Sequence, residues 1–493
     1  MMKHILVLTT LTLLPLLARA QDEKKVDKEW IDKVAQMPAA EQVKVVTAKL
    51  QELNFKLPET VTSKIEDDKV VEFGFHGNGV EHIEAVAALK HVRKLNFAGS
   101  AITSDTDKYR VKDLTPLKDL PLVELNMRWC LAKDLSPLKG MKLTSLDCSV
   151  CAAVFTLAPL EGMPLISLNC AQTSVVSLAP LKGMPLESLD ISYNKVTDLT
   201  PLKGAPLVSF AASYSTVFDL RPLKGMPLMS VGVYHTPVAD LSPLKGMRLT
   251  SLSAGHTKIA DLSPLKGMPL AVLDVRATSV RDFSALKGMP MQALYAHGSP
   301  IASVAPLKGM PLTTLYVTGP VTDFTPLKGM PLTTLYFPGA KVKDLSPLKD
   351  MKITQIWPSG NPFTSIAPLK DMQLGILDLA DTRVSDLTLI KQMPVSQLTI
   401  TRTPVKSLAP LKGSKVTWLE LAETTVTDLR PVKDIHFAYL GFAKSAVKDY
   451  SVLRGMTIEN LSCTIRTKND LAPIRGIKGL RFLNGKDAQE QLK

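Results

Sequence analysis

Hydrophobic positions recur along this chain with a long, near-constant period. Within one period, Leu186, Leu189 and Ile191 are apolar, while Ser188, Asp190 and Ser192 between them are polar. Such alternation predicts a short strand with one buried face. Val196, Leu199 and Leu202 carry the apolar pattern onward, and Thr200-Pro201 predicts the N-cap and first residue of a short helical turn. Gly204 allows that turn to end, and Pro206 keeps it from growing into a full helix.

The Pro-Leu-Lys step of this pattern serves as a ruler. Its first position falls at residues 116, 137, 159, 180, 201, 222, 243, 264, 285, 306, 326, 347, 368, 389, 410, 431, 452 and 473. These eighteen turns are 21 residues apart, except for one interval of 22 and one of 20. A strand this short cannot bury its apolar face alone, so the period requires stacking into a repeat solenoid. The expected fold is a gently curved parallel β-sheet on a concave side, with short turns or 3-10 segments on the convex side.

The expected organisation is a signal peptide over 1–20, a helical N-terminal cap over 21–68 and degenerate first repeats over 69–97. A polar insertion over 98–112, the repeats over 113–476 and a C-terminal cap and tail over 477–493 complete it. The leader is read from Lys3, the apolar run Ile5 to Leu17 and the small-x-small step Ala18-Arg19-Ala20. It predicts export to the periplasm or beyond, and no later segment is long and apolar enough to be a membrane span. In the cap, Val43, Val46, Leu50 and Leu53 recur at helical spacing after Pro38, with Trp30 and Ile31 ahead of them. A partner-binding helix is the rival reading of that segment. The insertion, Ser100 to Lys112, is a candidate contact loop.

The repeat motif Leu-x-x-Leu-x-Leu-x-x-Asn/Thr-x-Val-x-x-Leu-x-x-Leu, seen from Leu186 through Leu202, resembles the bacterial leucine-rich repeats of the internalin type. Asn194 and Asn361 keep that family's asparagine; Thr173, Thr236, Thr257, Thr278, Thr382, Thr403 and Thr424 replace it with a hydroxyl able to make part of the same bonding pattern. The phrase Leu-Ser-Pro-Leu-Lys-Gly-Met-Pro-Leu at 262–270 is similar to secreted repeat proteins of planctomycete bacteria. In that group the phrase also stands beside kinase domains, but no kinase motif occurs in this chain. The resemblance implies a recognition or scaffolding module.

Charge changes the picture little. The chain carries 59 basic and 46 acidic residues, a formal +13, which falls to about +11 without Lys3 and Arg19. Lysine closes fifteen of the turns, and aspartate stands three residues before the marker in thirteen, including Asp198, Asp219, Asp240, Asp261 and Asp282. Two such columns predict a solvated, mutually compensating face. Of five cysteines, Cys148, Cys170 and Cys463 fall in apolar columns, whereas Cys130 and Cys151 share a turn column where a disulfide is left open.

Motifs for an enzyme are absent: there is no nucleophile elbow, phosphate loop, zincin sequence or dinucleotide fingerprint. No metal site or cofactor is expected, because His235 and His256 share a column but a zinc site normally needs more protein ligands. The candidate binding residues are aromatic. Tyr295, Tyr316, Tyr336 and Trp357 fall in one outward strand column, Tyr193, Tyr214, His235 and His256 in a second beside it, with Tyr234 and His297 near their junction. The outward positions of other strands hold Asn169, Asp190, Ala211, Asp378 and Thr399. The clustering points to an exported, non-enzymatic protein that binds a protein or cell-envelope glycan through its sheet. A structural envelope component without a discrete ligand and, remotely, a polysaccharide hydrolase are the alternatives. Nucleic acid is not an expected partner, and a monomer is.

Overall fold

The protein is described by a computed structural model over residues 26–54, 61–101 and 109–492. The leader expected over 1–20 and the centre of the insertion lie outside the described residues. Two compact units divide after Leu228. Each is a leucine-rich-repeat solenoid.

In the first unit, helices α1 (Lys28–Ala35) and α2 (Ala39–Leu53) form the cap. Helix α1 includes Trp30 and Ile31, so the helical region starts earlier than Pro38, and Asp27 caps it by accepting from the Trp30 backbone N–H at 2.8 Å. Val46 and Leu50 of α2 are buried. The sequence reading kept 21–68 helical, but Thr62–Glu66 is strand β1, antiparallel to β2 (Lys69–Gly74) through left-handed Asp67 and Asp68. Two consecutive left-handed residues suit the twist of a tight hairpin, which the one-residue hydrophobic pattern does not reveal. Strand β2 then pairs in parallel with Lys94–Asn96, and one three-residue strand per repeat continues that sheet to Ser209–Ala211.

The second unit repeats this plan from Ser230–Gly232 to Ile458–Ser462, the buried aliphatic residue of each strand in register with that of the next, as Val231 with Leu252 and Leu335 with Ile356. It ends in helix α3 (Leu471–Arg475), a Phe482–Leu483/Lys486–Asp487 hairpin and helix α4 (Ala488–Gln491). The C-terminal tail is therefore folded: Asn484 and Gly485 are both left-handed and turn the chain back, and Asp487 caps α4.

Leu189, Ile191, Val196, Leu199 and Leu202 are all buried, which places every apolar position of the motif in the core. Each such leucine contributes about 1.5–3 kcal/mol on burial. Thr200-Pro201-Leu202 is a 3-10 turn, and Gly204 leaves it with φ +81°.

The aspartate column acts differently from expectation. Asp198, Asp240 and Asp261 each accept the backbone N–H two residues on, at 2.7–2.8 Å, and so cap the 3-10 turn in place of the expected Thr200. Ser177, Ser303 and Ser407 do this with a hydroxyl where aspartate is missing. Among the described residues no turn lysine is ion-paired to these aspartates; their charged partners are Arg221 and Arg430. A short carboxylate two residues from an unpaired N–H closes a local ring more readily than it reaches a lysine across solvent.

The column after each strand explains the asparagine-to-threonine exchange. Asn194 and Asn361 donate Nδ2 across to the preceding repeat, to Cys170 O at 2.8 Å and Phe337 O at 2.9 Å. Thr236, Thr257 and Thr382 instead donate within their own repeat, to Val233, Ala254 and Leu379 carbonyls. Cys151 occupies the same column and its thiol contacts Met127 O at 3.2 Å. Its Sγ lies 3.3 Å from that of Cys130, and both are free, as are the buried Cys148, Cys170 and Cys463.

The ends of the insertion are tied down. Arg110 is buried and donates to Trp129 O at 2.8 Å and Ser100 O at 2.6 Å, with its guanidinium 5.0 Å from the Trp129 ring. That segment is thus anchored through an internal arginine, which the purely polar reading missed.

Candidate functional site

Strand pairing sets the geometry of the aromatic surface. In the second unit, the register aligns Asp274, Tyr295, Tyr316, Tyr336 and Trp357 side by side. Because strand residues alternate between faces, the aliphatic residue before each ring (Leu294, Leu315, Leu335 and Ile356) is buried and the ring stands on the solvent side. Successive centroids lie 5.2, 5.0 and 6.1 Å apart from Tyr295 to Trp357. Tyr316 and Tyr336 are nearly parallel, at 16°, so they cover each other's faces and present their edges and hydroxyls outward. The outer rings are tilted by 49° and 53° to their neighbours. This weakens the idea of sugar rings lying flat on every tyrosine, since the middle faces are occupied.

Two residues beyond each ring, in the turn that follows the strand, lies a second outward column. His297 stands over the row, 5.7 Å from Tyr316 and 5.6 Å from Tyr336. Its pKa is lowered, first by burial and then by the charge of Arg276, which favours the neutral ring. Its Nδ1 is buried and has no hydrogen-bond partner among the described residues. Burial pushes the Tyr316 phenol upward, so it remains a hydroxyl donor.

Arg276 joins Tyr234 to the row, with its guanidinium carbon 5.8 Å from the Tyr234 ring and 5.4 Å from that of Tyr295. Asp274 accepts its Nε at 3.0 Å through both oxygens. Gly255 makes the convergence possible: a Cβ there would lie 2.8 Å from Arg276 Cγ and 3.0 Å from Tyr234 Cε2. Arg276, Asp274 and Gly255 were missed as site residues. The available signal was Asp274-Val275-Arg276, opposite charges two apart on one face of a strand already next to the tyrosine column.

Tyr193, Tyr214, His235 and His256 are not in strands. Each occupies the following turn with φ between 54° and 59°, where glycine stands at 298, 339 and 360. A left-handed side chain costs roughly 1–2 kcal/mol, and contacts along the column offset it. Tyr193 and Tyr214 stack at 4.5 Å in the first unit, and His235 lies 5.7 Å from His256 in the second. Charged residues do the same further along, where Arg402 bonds Asp381 at 2.6 Å. The second expected column is therefore a turn ladder, distinct from the strand row. His256 also meets the Tyr234 ring edge-on at 5.1 Å, and His235 lies 6.4 Å from it. Among the described residues no group of three or more histidines, cysteines and carboxylates gathers to hold a metal ion.

Two other features contrast with the row. Trp418 and Tyr439 stack at 4.6 Å, but the Tyr439 hydroxyl donates to Glu420 Oε2 at 2.6 Å and its pKa is pushed up to about 12 by burial and that carboxylate. In the first unit, a recess of about 460 Å³ beside β1 is lined by Lys64, Glu72, Lys94 and Glu124. Its lysines are already paired, Lys64 with Glu66 at 2.8 Å and Lys94 with Glu124 at 2.9 Å.

Solved structures resemble the chain. An internalin (inlF) from Listeria monocytogenes is 19% identical, with 82% of this chain and 94% of that one covered at a TM-score of 0.37. PEPR1–AtPEP1 is 11% identical over 89% and 74%, with a TM-score of 0.51. The Arabidopsis receptor kinase HAESA, in complex with the peptide hormone IDA and the co-receptor SERK1, is 13% identical over 82% and 76%, at 0.50. The likeness is one of fold. No protein-family model matches the chain, and no curated protein matches its sequence. No helix among the described residues is long and apolar enough to cross a membrane.

Proposed function

We propose that the protein is an exported, non-enzymatic recognition or scaffolding module, and that the solvent face of the second unit's sheet, from Tyr234 to Trp357, binds a protein or glycan partner. One observation carries this reading. Tyr295, Tyr316 and Tyr336 make no hydrogen bond through their hydroxyls to the described residues, whereas Tyr439 and Tyr450 satisfy theirs with Glu420 and Thr464. Tyrosine is a costly way to fill a packing position when its hydroxyl has no use, and phenylalanine would stack as well. A row of free donors in register with the strands is suited to an extended, polar ligand.

The test is a screen of the mature protein against cell-envelope glycans and exported proteins, repeated with Tyr316, Tyr336 and Trp357 changed to serine. Loss of a partner with unchanged unfolding is expected. Retained binding by the folded triple variant would overturn the assignment to this face.

A further inference from the structure

Arg276 is held in a manner that packing alone does not require. Asp274 fixes the inner edge of its guanidinium through Nε, and the Tyr234 and Tyr295 rings flank it. Its terminal Nη1 and Nη2 make no hydrogen bond among the described residues. The group is half-buried, and glycine at 255 provides the room it needs. An arginine pinned at Nε and flanked by rings has lost its rotamer freedom before any ligand arrives, so a partner need not supply that ordering free energy. What it offers is a planar pair of donors, the fork that accepts a carboxylate through both oxygens.

The spacing of the row indicates what bears that carboxylate. Rings repeat at 5.0–6.1 Å from Tyr295 to Trp357. An extended peptide advances about 3.3 Å per residue and turns alternate side chains away, so it falls out of step with neighbouring strands about 4.8 Å apart. A chain of pyranose sugars advances by roughly one strand spacing per residue and carries hydroxyls on each, which keeps it in step with the phenols. The pinned fork stands beside Tyr295, the first tyrosine of this row.

Building on the recognition reading above, we infer that Arg276 receives the carboxylate of a uronic-acid-containing glycan laid along Tyr295, Tyr316 and Tyr336. Asp274 cancels much of the guanidinium's long-range field, and His297 beside it is neutral, so selection works through the two short hydrogen bonds and depends weakly on salt.

The probes are a hexagalacturonate and its full methyl ester, titrated by calorimetry against the wild type, Arg276→Gln, Arg276→Lys and the Tyr316/Tyr336/Trp357 serine variant. Wild type should prefer the acid by about tenfold or more, the worth of a charge-assisted bidentate contact. Arg276→Gln should abolish that preference by lowering acid binding to the level of the ester, and Arg276→Lys should recover only part of it, because a point charge lacks the fork. Unchanged ester binding shows that the row has kept its shape; if it falls too, Asp274→Asn combined with Arg276→Gln removes the stranded carboxylate and the comparison is made there. Equal binding of acid and ester by wild type, no binding of the acid, or a preference that survives Arg276→Gln overturns the inference. So does Arg276-dependent capture of a free-acid peptide without the uronate. A partner from the envelope screen that needs the tyrosine row but not Arg276 would leave the recognition reading standing and this one refuted; acid binding lost in Arg276→Gln but intact in the row variant would overturn the course along the row and, with it, both readings.

Discussion

Replacing Asn361 separates the two ways this fold closes its turn column. The side chain is fully buried; Nδ2 donates to Phe337 O and Pro358 O, both at 2.9 Å, and Oδ1 accepts Val342 N–H at 3.1 Å. Asn361→Ala strands the Val342 donor and two carbonyls away from water. At about 1–3 kcal/mol for each of the three groups left without a partner, the loss is expected near 3–9 kcal/mol. Asn361→Thr should be milder by roughly 1 kcal/mol, one ordinary hydrogen bond, because a hydroxyl here can reach Pro358 O just as Thr382 reaches Leu379 O at 2.7 Å. A hydroxyl committed to Pro358 O leaves Phe337 O and the Val342 N–H unmet, in contrast to Ser299, whose hydroxyl donates across to Val275 O at 2.7 Å and accepts from the Thr278 N–H at 3.0 Å. Two-state unfolding is not assured in a long repeat array, so the informative measurement is amide exchange at Val342 beside the urea midpoint. Protection of that amide should drop in both variants. A threonine variant with wild-type stability and an equally protected Val342 amide would refute the reasoning and make the cross-repeat bond redundant.

Leu189→Ala should cost about 2–5 kcal/mol through lost contacts and a cavity, and Ser188→Ala far less, by urea unfolding; the opposite order would mean the strand phase is wrong. His297 has a folded pKa below its unfolded one, so the unfolded chain takes up the proton more readily. Its contribution is therefore complete above the ordinary histidine pKa and is lost as pH falls through the lowered folded value. Wild type should lose more stability between pH 7.5 and 5.5 than His297→Gln, and equal losses would exclude the effect. The Cys151 thiol is pushed far above its ordinary range by its hydrogen bond with Cys130 and by burial, so a thiol reagent should modify neither cysteine until the protein is unfolded. Labelling of the folded, reduced protein at the rate of a free thiol would contradict this.

Period alone determined the fold class, the strand phase and the 3-10 turns, because a motif too short to bury its own face has few ways to be stable except stacking. It also placed Tyr295, Tyr316, Tyr336 and Trp357 in one outward column, since alternation in a strand leaves no freedom about the face. What it left open was the chemistry made between repeats. The aspartate column looked like half of an ion-pair ladder, and only the path of the turn shows its oxygens aimed at local N–H groups. Tyr193, Tyr214, His235 and His256 looked like neighbours of the tyrosine row, yet the chain leaves the strand two residues earlier and turns left-handed beneath them. The β1 hairpin and the folded C-terminal tail likewise depend on left-handed residue pairs that hydrophobic pattern does not encode. Arg276 shows the limit most clearly: its partner Asp274 is two residues away in sequence, but its rings come from Tyr234 and Tyr295, and its space comes from the missing Cβ of Gly255. Those groups meet because consecutive strands stack in register, so the tertiary structure decided what this arginine can do.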